Sequence, residues 1–388
     1  MAATIVIRKT GEFAKDDPNC FNRLHHSLRP AGHARPGDYI VFETRDALDH
    51  QFNFETQHAA VAGADLSRVH PMTGPIYIEG VERGDALAVT MVDIVPDTYG
   101  WTCILPGFGF LRDQFEEPFL ANWRLDRLYA RSEQIPGVRI PMAAFPGSIG
   151  VVPGEPEVEA ALAREAAVAD AGGMALPPDP TNALPADLFG PDGPYMDKAL
   201  RTVPPRENGG NMDIKEMQLG TTIIFPCFVE GGGLWTGDVH YAQGDGEVSG
   251  SAIEMDATVT VTCQIIKGGG KHLKYPNFTG GAQLKQTEPT SFYAATGLPL
   301  KKSGELPPHL AWIDSSKLAA LENVPEDLTL ATRDALLNII DYMVRERGLS
   351  RQQAYCVASA AVDLRIGQLV DVPNFMVSAI LPLNIFED

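Results

Sequence analysis

Residues 253–265 read IEMDATVTVTCQI, and their alternation decides the class of fold. Threonines at 258, 260 and 262 interleave with valines at 259 and 261. That period of two is what an extended strand needs to bury one face and wet the other. Upstream, DYIVFE (38–43) follows a Pro36-Gly37 turn, GPIYIEG (74–80) is bracketed by glycines, and ALAVTMVDI (86–94) opens after Gly84-Asp85. Short β-rich runs about ten residues apart, bounded by Gly, Pro and Asp, are the pattern of a sandwich or barrel. The reading is an all-β domain over residues 1–150, with a second β block from 209 to 267.

Helix enters between and after these blocks. Residues 155–172, EPEVEAALAREAAVADAG, are rich in Ala and Glu and run into Gly172-Gly173, so they predict one helix. The stretch 177–194 is dense in Pro, Asp and Gly and predicts an extended surface loop, which makes 151–208 a connecting segment. Residues 328–347 set Leu336, Ile339, Ile340 and Met343 on one helical face and stop at Gly348. Ser350-Arg351-Gln352-Gln353 has the spacing of a capping box and predicts a second helix through Leu364. Residues 366–386 return to strand-like runs broken by Pro373 and Pro382. The fold class is α+β, mainly β, with the late helices in a third unit, 209–388.

The 388 residues leave room for two or three domains at roughly 150 each. With 44% hydrophobic residues the chain can bury a sizeable core, and 37 glycines with 30 prolines make it turn-rich without reaching the disordered range. Fifty acidic against 31 basic residues give a net charge of −19. So acidic a surface repels phosphate backbones and anionic lipid, which makes nucleic acid and membranes poor partners and favours neutral or cationic small molecules and metal cations. Cys20, Cys103, Cys227, Cys263 and Cys356 form no CxxC pair, which favours a reducing compartment. The start MAATIVIRKTGEF has no secretory apolar core, and the most apolar stretch, 375–386, is interrupted by Pro382 and Asn384. A cytoplasmic protein is the expectation.

Chemistry-bearing residues crowd between Asn208 and Gly250. In NGGNMDIKEMQLGTTIIFP, Asn211 and Asp213 are two apart and share a face on an extended chain. In LWTGDVHYAQGDGEVSG, Asp238 and His240 do the same, and Gln243, Asp245 and Glu247 continue the spacing. Gly244 and Gly246 let the backbone approach closely or turn. If the two segments neighbour one another, one imidazole and two carboxylates form an O/N ligand set for zinc or a similar divalent ion. The plainer alternative makes Gly-Asp-Gly a turn and His240 a hydrogen-bonded strand histidine.

GGNMDIKEMQLGTTIIFP followed by GDVHYAQGDGE resembles the signature of the acetamidase/formamidase family. HPMTGPIYIEGVERGDAL (70–87), FPGSIGVVP (145–153) and AYCVASAAVDLRIGQLVDVPN (354–374) resemble the same family, so the likeness runs from about residue 38 to the C-terminus. The resemblance implies hydrolysis of short-chain amides, in some relatives of cyclic amides such as γ-lactams. It also implies a jelly-roll-like β-sandwich first half, a second β-barrel or α+β part, a metal-containing site and a homo-oligomer. Asn-x-Asp falls on Asn211 and Asp213, Gly-Asp-x-His on Gly237, Asp238 and His240, and Gln-Gly-Asp-Gly-Glu on Gln243 to Glu247.

Other candidates compete. Glu43, Asp46, Asp49 and His50 form an acidic cluster that would hold another cation, border a pocket, or serve only as a solvated capping segment with Arg45 as counter-ion. Cys227 lies in an apolar strand with no base beside it, Ser148 lacks a GxSxG elbow, and Lys267–Lys271 lacks the order of a phosphate loop and reads as a flexible hairpin end. The roles expected from side-chain chemistry are therefore specific. Asp213, Asp238 and His240 hold a divalent metal, zinc by preference, whose water attacks an amide carbonyl. Glu247, or failing that Asp245, moves the proton; Asn211, Gln243 and His70 bind substrate; glycine N–H groups of Gly231–Gly233 help with the oxyanion. The rival is a non-catalytic β-sandwich binding protein with structural cation sites.

Overall fold

The computed structural model describes residues 2–281, 288–310 and 316–387. The strand Glu254–Ile266 behaves as its alternation requires: Val259, Val261 and Cys263 are buried, while Thr258, Thr260 and Thr262 stay half-exposed. It is the spine of a large sheet, pairing antiparallel with Tyr39–Thr44 and along most of the strand Ala86–Ile104. The latter continues ten residues beyond the predicted end at Ile94, past Pro96, where the ladder shifts register between Met255 and Ala257. A proline is tolerated at such an irregularity because no ladder bond depends on its missing N–H.

At the other end of the spine, Glu254 and Met255 pair with His240 and Val239 of the strand Leu234–His240. That strand pairs in turn with Phe145–Gly150, and Phe145–Gly150 with Gly209–Asn211. The sheet order thus joins strands from both sides of the 151–208 segment. That segment is more than a surface loop. Its helix Glu155–Asp170 forms as predicted, but within 177–194 a short helix, Ala186–Phe189, buries Leu188 and Phe189 against Phe21, Leu24 and Trp235. Apolar side chains between the prolines supply the burial that the turn composition alone hides.

The late helices pack over a small antiparallel sheet of Phe292–Gly297, Asp363–Gln368 and Met376–Pro382. Leu336, Ile339, Ile340 and Met343 of the helix Leu328–Arg347 are all fully buried, and Gly348 closes it with φ 66°. The capping box of Ser350 and Gln353 starts the next helix, Arg351–Ala361. This one stops three residues short of Leu364, because Asp363 already belongs to a strand and ion-pairs with Lys215. The presumed hairpin end at Lys267 is tied down: Asp85 accepts from Lys267 Nζ and from the Gly268 N–H. All five cysteines are free and buried. Among the described residues no helix is long and apolar enough to cross a membrane.

Truncating the apolar face of the first late helix tests this packing. Leu336→Ala should cost about 2–5 kcal/mol, read from denaturant unfolding. A loss below about 1 kcal/mol would mean that the helix does not rest on the core as described.

Candidate active site

His240 ends its strand with its ring almost wholly buried, and four carboxylates surround it. Its Nε2 lies 3.4 Å from Asp238, 3.3 Å from Glu254 and 3.9 Å from Glu247, while its Nδ1 lies 3.9 Å from Asp213. Strand register explains two of these partners. Glu254 is the direct cross-strand neighbour of His240, and Asp238 sits on the same strand with φ 52°. That left-handed conformation breaks the simple alternation on which a shared face was expected. Asp213 (φ 51°) and Glu247 (φ 45°) are left-handed too, a backbone state that costs non-glycine residues energy and clusters at functional sites.

The Asn211–Asp213 segment and His240 do not lie on adjacent strands, as the sequence reading supposed; Phe145–Gly150 runs between them. Gly147 makes the convergence possible. A Cβ there would stand 2.5 Å from His240 Cε1 and 2.8 Å from Asp213 Oδ1, so only a bare backbone fits between the two. Next to it, buried Ser148 places its Oγ 3.0 Å from Asp238 Oδ2 and 2.8 Å from Asn211 Oδ1. Ser148 is thus a support for the acidic cluster.

The loop after His240 is pinned from the far side by the helix Arg351–Ala361. The Gly244 N–H donates to Ser359 O, the Ser249 N–H donates to Ser359 Oγ, and the Tyr355 hydroxyl donates to Val248 O. A Cβ on Gly244 would meet Val362 O at 2.3 Å, so the close approach expected of this glycine is real. The loop then places Gln243 with its Oε1 2.8 Å from His240 Nδ1 and its amide donating to Asp213 O, which fixes the ring and the Asp213 turn together.

Electrostatics follow from crowding four acids around one base. Burial opposes charging His240, but Glu254 and Asp238 hold its pKa well above the usual imidazole value. Burial likewise pushes Asp238 up, yet His70 and His240 outweigh it and keep that carboxyl well below the ordinary range. The other three acids rise, each by burial first: Asp213 to about 7, Glu247 well above the usual range, and Glu254 upward. Among the described residues no lysine or arginine forms an ion pair with any of the four. Asp213 Oδ1 and Glu254 Oε2 are buried without a hydrogen-bond partner. Two ligand sets emerge, Asp213–His240–Glu247 and Asp238–His240–Glu254, each with its donor atoms within 4.8 Å of one another. A hard, multiply charged cation would satisfy the orphaned oxygens and replace the protons that the acids otherwise retain.

Three of the four acids, Asp238, Glu247 and Glu254, line a cavity of about 790 Å³. His70 and Asn211 line it too, and Val69, Trp101, Leu105 and Phe108 are among its apolar walls. His70 reaches the cavity as expected; burial lowers its pKa, and its Nδ1 has no hydrogen-bond partner.

Some expected participants stand elsewhere. Asp245 is drawn away by Lys215 (3.1 Å) and the Leu364 N–H (3.0 Å), and it ties the loop to the small sheet. Gln243 spends its amide on His240 and Asp213. The glycine N–H groups at 231–233 are consumed by Val81 O, Val229 O and Gly231 O, so they offer nothing to an oxyanion. Cys227 is buried, its thiol pushed up to about 12 by burial first, and it takes no part.

The second acidic cluster is a connected network, in which Asp46, His50 and Asp256 also lie close enough to hold an ion. Asp256 accepts from Lys9, His50 and the Asp46 N–H, and Asp46 accepts from Trp101 Nε1, by which it braces the cavity wall. Glu254 and Gly147 are the functional positions that sequence reasoning missed. Alternation alone puts Glu254 on the polar face of Asp256 and Thr258, so its burial carried no signal in the sequence.

Comparison with known proteins shows the family. Residues 7–388 match the family model described as "Acetamidase/Formamidase family". A formamidase of Methylophilus methylotrophus is 31% identical over 391 residues, covering 96% of this chain and 91% of that one. An acetamidase of Mycolicibacterium smegmatis is 32% identical over 366 residues, covering 87% and 84%. Among solved structures, a gamma lactamase from Delftia acidovorans superposes with a TM-score of 0.89 at 30% identity, covering 100% of this chain and 94% of that one. An acetamidase from Bacillus halodurans, at 22% identity and a TM-score of 0.54 over 98% and 97% of the two chains, shares the fold. The chain belongs to the acetamidase/formamidase family.

Proposed function

We propose that the chain hydrolyses the C–N bond of a carboxylic amide, either a short linear amide of the formamide or acetamide type or a cyclic γ-lactam. The observation that carries this reading is a buried imidazole and four carboxylates beside an apolar cavity. The activities named for the formamidase, acetamidase and γ-lactamase relatives support it. Water adds its oxygen to the carbonyl carbon, the C–N bond breaks, and the nitrogen departs with a proton, giving a carboxylate and ammonia or an amine.

Asp213, Asp238, His240 and Glu254 are the groups that would hold a divalent cation, since their oxygens and ring nitrogen include the two orphaned acceptors. When bound, such an ion polarises a carbonyl and makes water more acidic. Glu247 suits the proton transfers: it stands 3.9 Å from His240 and lines the cavity, where a carboxylate whose pKa burial raises can take a proton from the attacking water and return it to the leaving nitrogen. Gln243 keeps His240 in one orientation, and Asp238 is held by Ser148. His70 and Asn211 present polar edges to the amide, while Trp101 and its neighbours exclude bulk water. The reading includes self-association; exposed Phe292, Ile366 and Val370 at and beside the small sheet support it.

Ammonia or amine release from formamide, acetamide and a γ-lactam tests the proposal. The wild type should turn over at least one of them, and Glu247→Gln should lose about 10²–10⁴-fold in kcat while keeping its melting curve. A wild type inert on the whole panel with divalent ions supplied would point instead to a non-catalytic binding protein. Gly147→Ala should lower kcat/KM on the order of 100-fold, because His240 or Asp213 must move to admit the methyl group. Full activity in that variant would mean that their separation does not matter to the chemistry.

A further inference from the structure

The cavity is larger and more cationic than a formamide or acetamide requires. At about 30 Å³ per water-sized group, a three- or four-atom amide fills on the order of a tenth to a sixth of it. Its volume of about 790 Å³ is that of sites for ligands several times larger. Two guanidinium groups also line it, those of Arg112 and Arg201, the latter near enough to His70 to help lower that ring's pKa.

Both are less fully bonded than the buried Arg206 and Arg23. Arg206 makes a two-pronged contact with Glu165 at 2.7 and 2.9 Å and also bonds to Arg201 O. Arg23 spends its nitrogens on the carbonyls of Asp179, Asn22, Ser67 and Thr181. Arg201, only 6% exposed, donates to Leu66 O and otherwise faces Asp179 at 3.8 Å, beyond hydrogen-bond reach. Its Nε is buried without a partner. Arg112 donates to Gly109 O at 3.2 Å, and no carboxylate among the described residues forms an ion pair with it. With 50 acidic residues in the chain, carboxylates are not scarce. An under-bonded guanidinium facing a cavity is a receptor for a planar anion that accepts two hydrogen bonds.

We propose that the substrate is an amide carrying a carboxylate on an apolar carbon chain, bound through that carboxylate by Arg201 and Arg112 with its amide at the acids around His240. The inference rests on the amide-hydrolysis reading and narrows it. The apolar walls of the cavity take the intervening carbons. Hydrolysis of such a molecule at its terminal amide yields a dicarboxylate and ammonia.

The test compares glutaramate, the monoamide of glutaric acid, with neutral pentanamide, which has the same five-carbon backbone. The wild type should favour glutaramate in kcat/KM by about tenfold to hundredfold, the worth of a hydrogen-bonded charge. Arg201→Gln and, because Arg201 is buried, the separate variant Arg112→Gln should each bring that ratio toward one. A merely structural role would lower both substrates alike and leave the ratio unchanged, and equal or better use of pentanamide by the wild type would overturn the proposal. Calorimetric titration with glutarate separates the two readings. Saturable binding weakened at least tenfold in either variant, with no amide turned over, would keep the anion site and sink hydrolysis. No binding of glutarate together with turnover of neutral amides would sink the anion site alone.

Discussion

Four carboxylates, two buried and two half-buried, share one buried imidazole, and that crowding of negative charge governs the rest of the molecule. Like charges a few ångströms apart in a medium of low dielectric cannot all ionise, so protons or a cation must balance them. Here the imbalance is expressed in the opposite pulls on Asp238 and on Asp213, Glu247 and Glu254, and in two acceptor oxygens with nothing to accept. A protein tolerates such an arrangement only when its surroundings force it. The forcing is visible in three left-handed acidic residues and in a glycine strand that admits no side chain between His240 and Asp213.

The architecture works as a vice for that cluster. On one side the long spine strand delivers Glu254 opposite His240; on the other, the helix Arg351–Ala361 holds down the loop that carries Gln243 and Glu247. The late helices, far away in sequence, therefore belong to the site as much as the central motif does. Their apolar face anchors them, and their polar contacts with Val248, Ser249 and Gly244 transmit that rigidity to the loop that carries Gln243 and Glu247.

Much of this was legible in the chain itself. Period-two alternation located the spine, the Ser350–Gln353 box located a helix start, and the Asn-x-Asp, Gly-Asp-x-His and Gln-Gly-Asp-Gly-Glu stretches located three of the four acids. What escaped detection depends on which strands become neighbours. The intrusion of residues 145–150 between two motifs, and hence the need for Gly147, is a fact of topology that no local spacing carries. Glu254 was hidden by an otherwise ordinary strand pattern, and Asp245 kept the right spacing but was claimed by Lys215, distant in sequence from the strand that Asp245 helps to dock. The two arginines of the cavity gave no signal at all, because their sparse bonding exists only once the chain has folded.

The account stands or falls on whether those acids and His240 act together on one cation. Titrating metal-stripped protein with zinc at pH 7 in a calorimeter measures this directly. The predicted result is saturable binding of a divalent ion with release of protons, weakened at least tenfold in both His240→Ala and Glu254→Gln. Failure of the wild type to bind zinc or any other divalent ion tried, or binding that neither substitution alters, would contradict it.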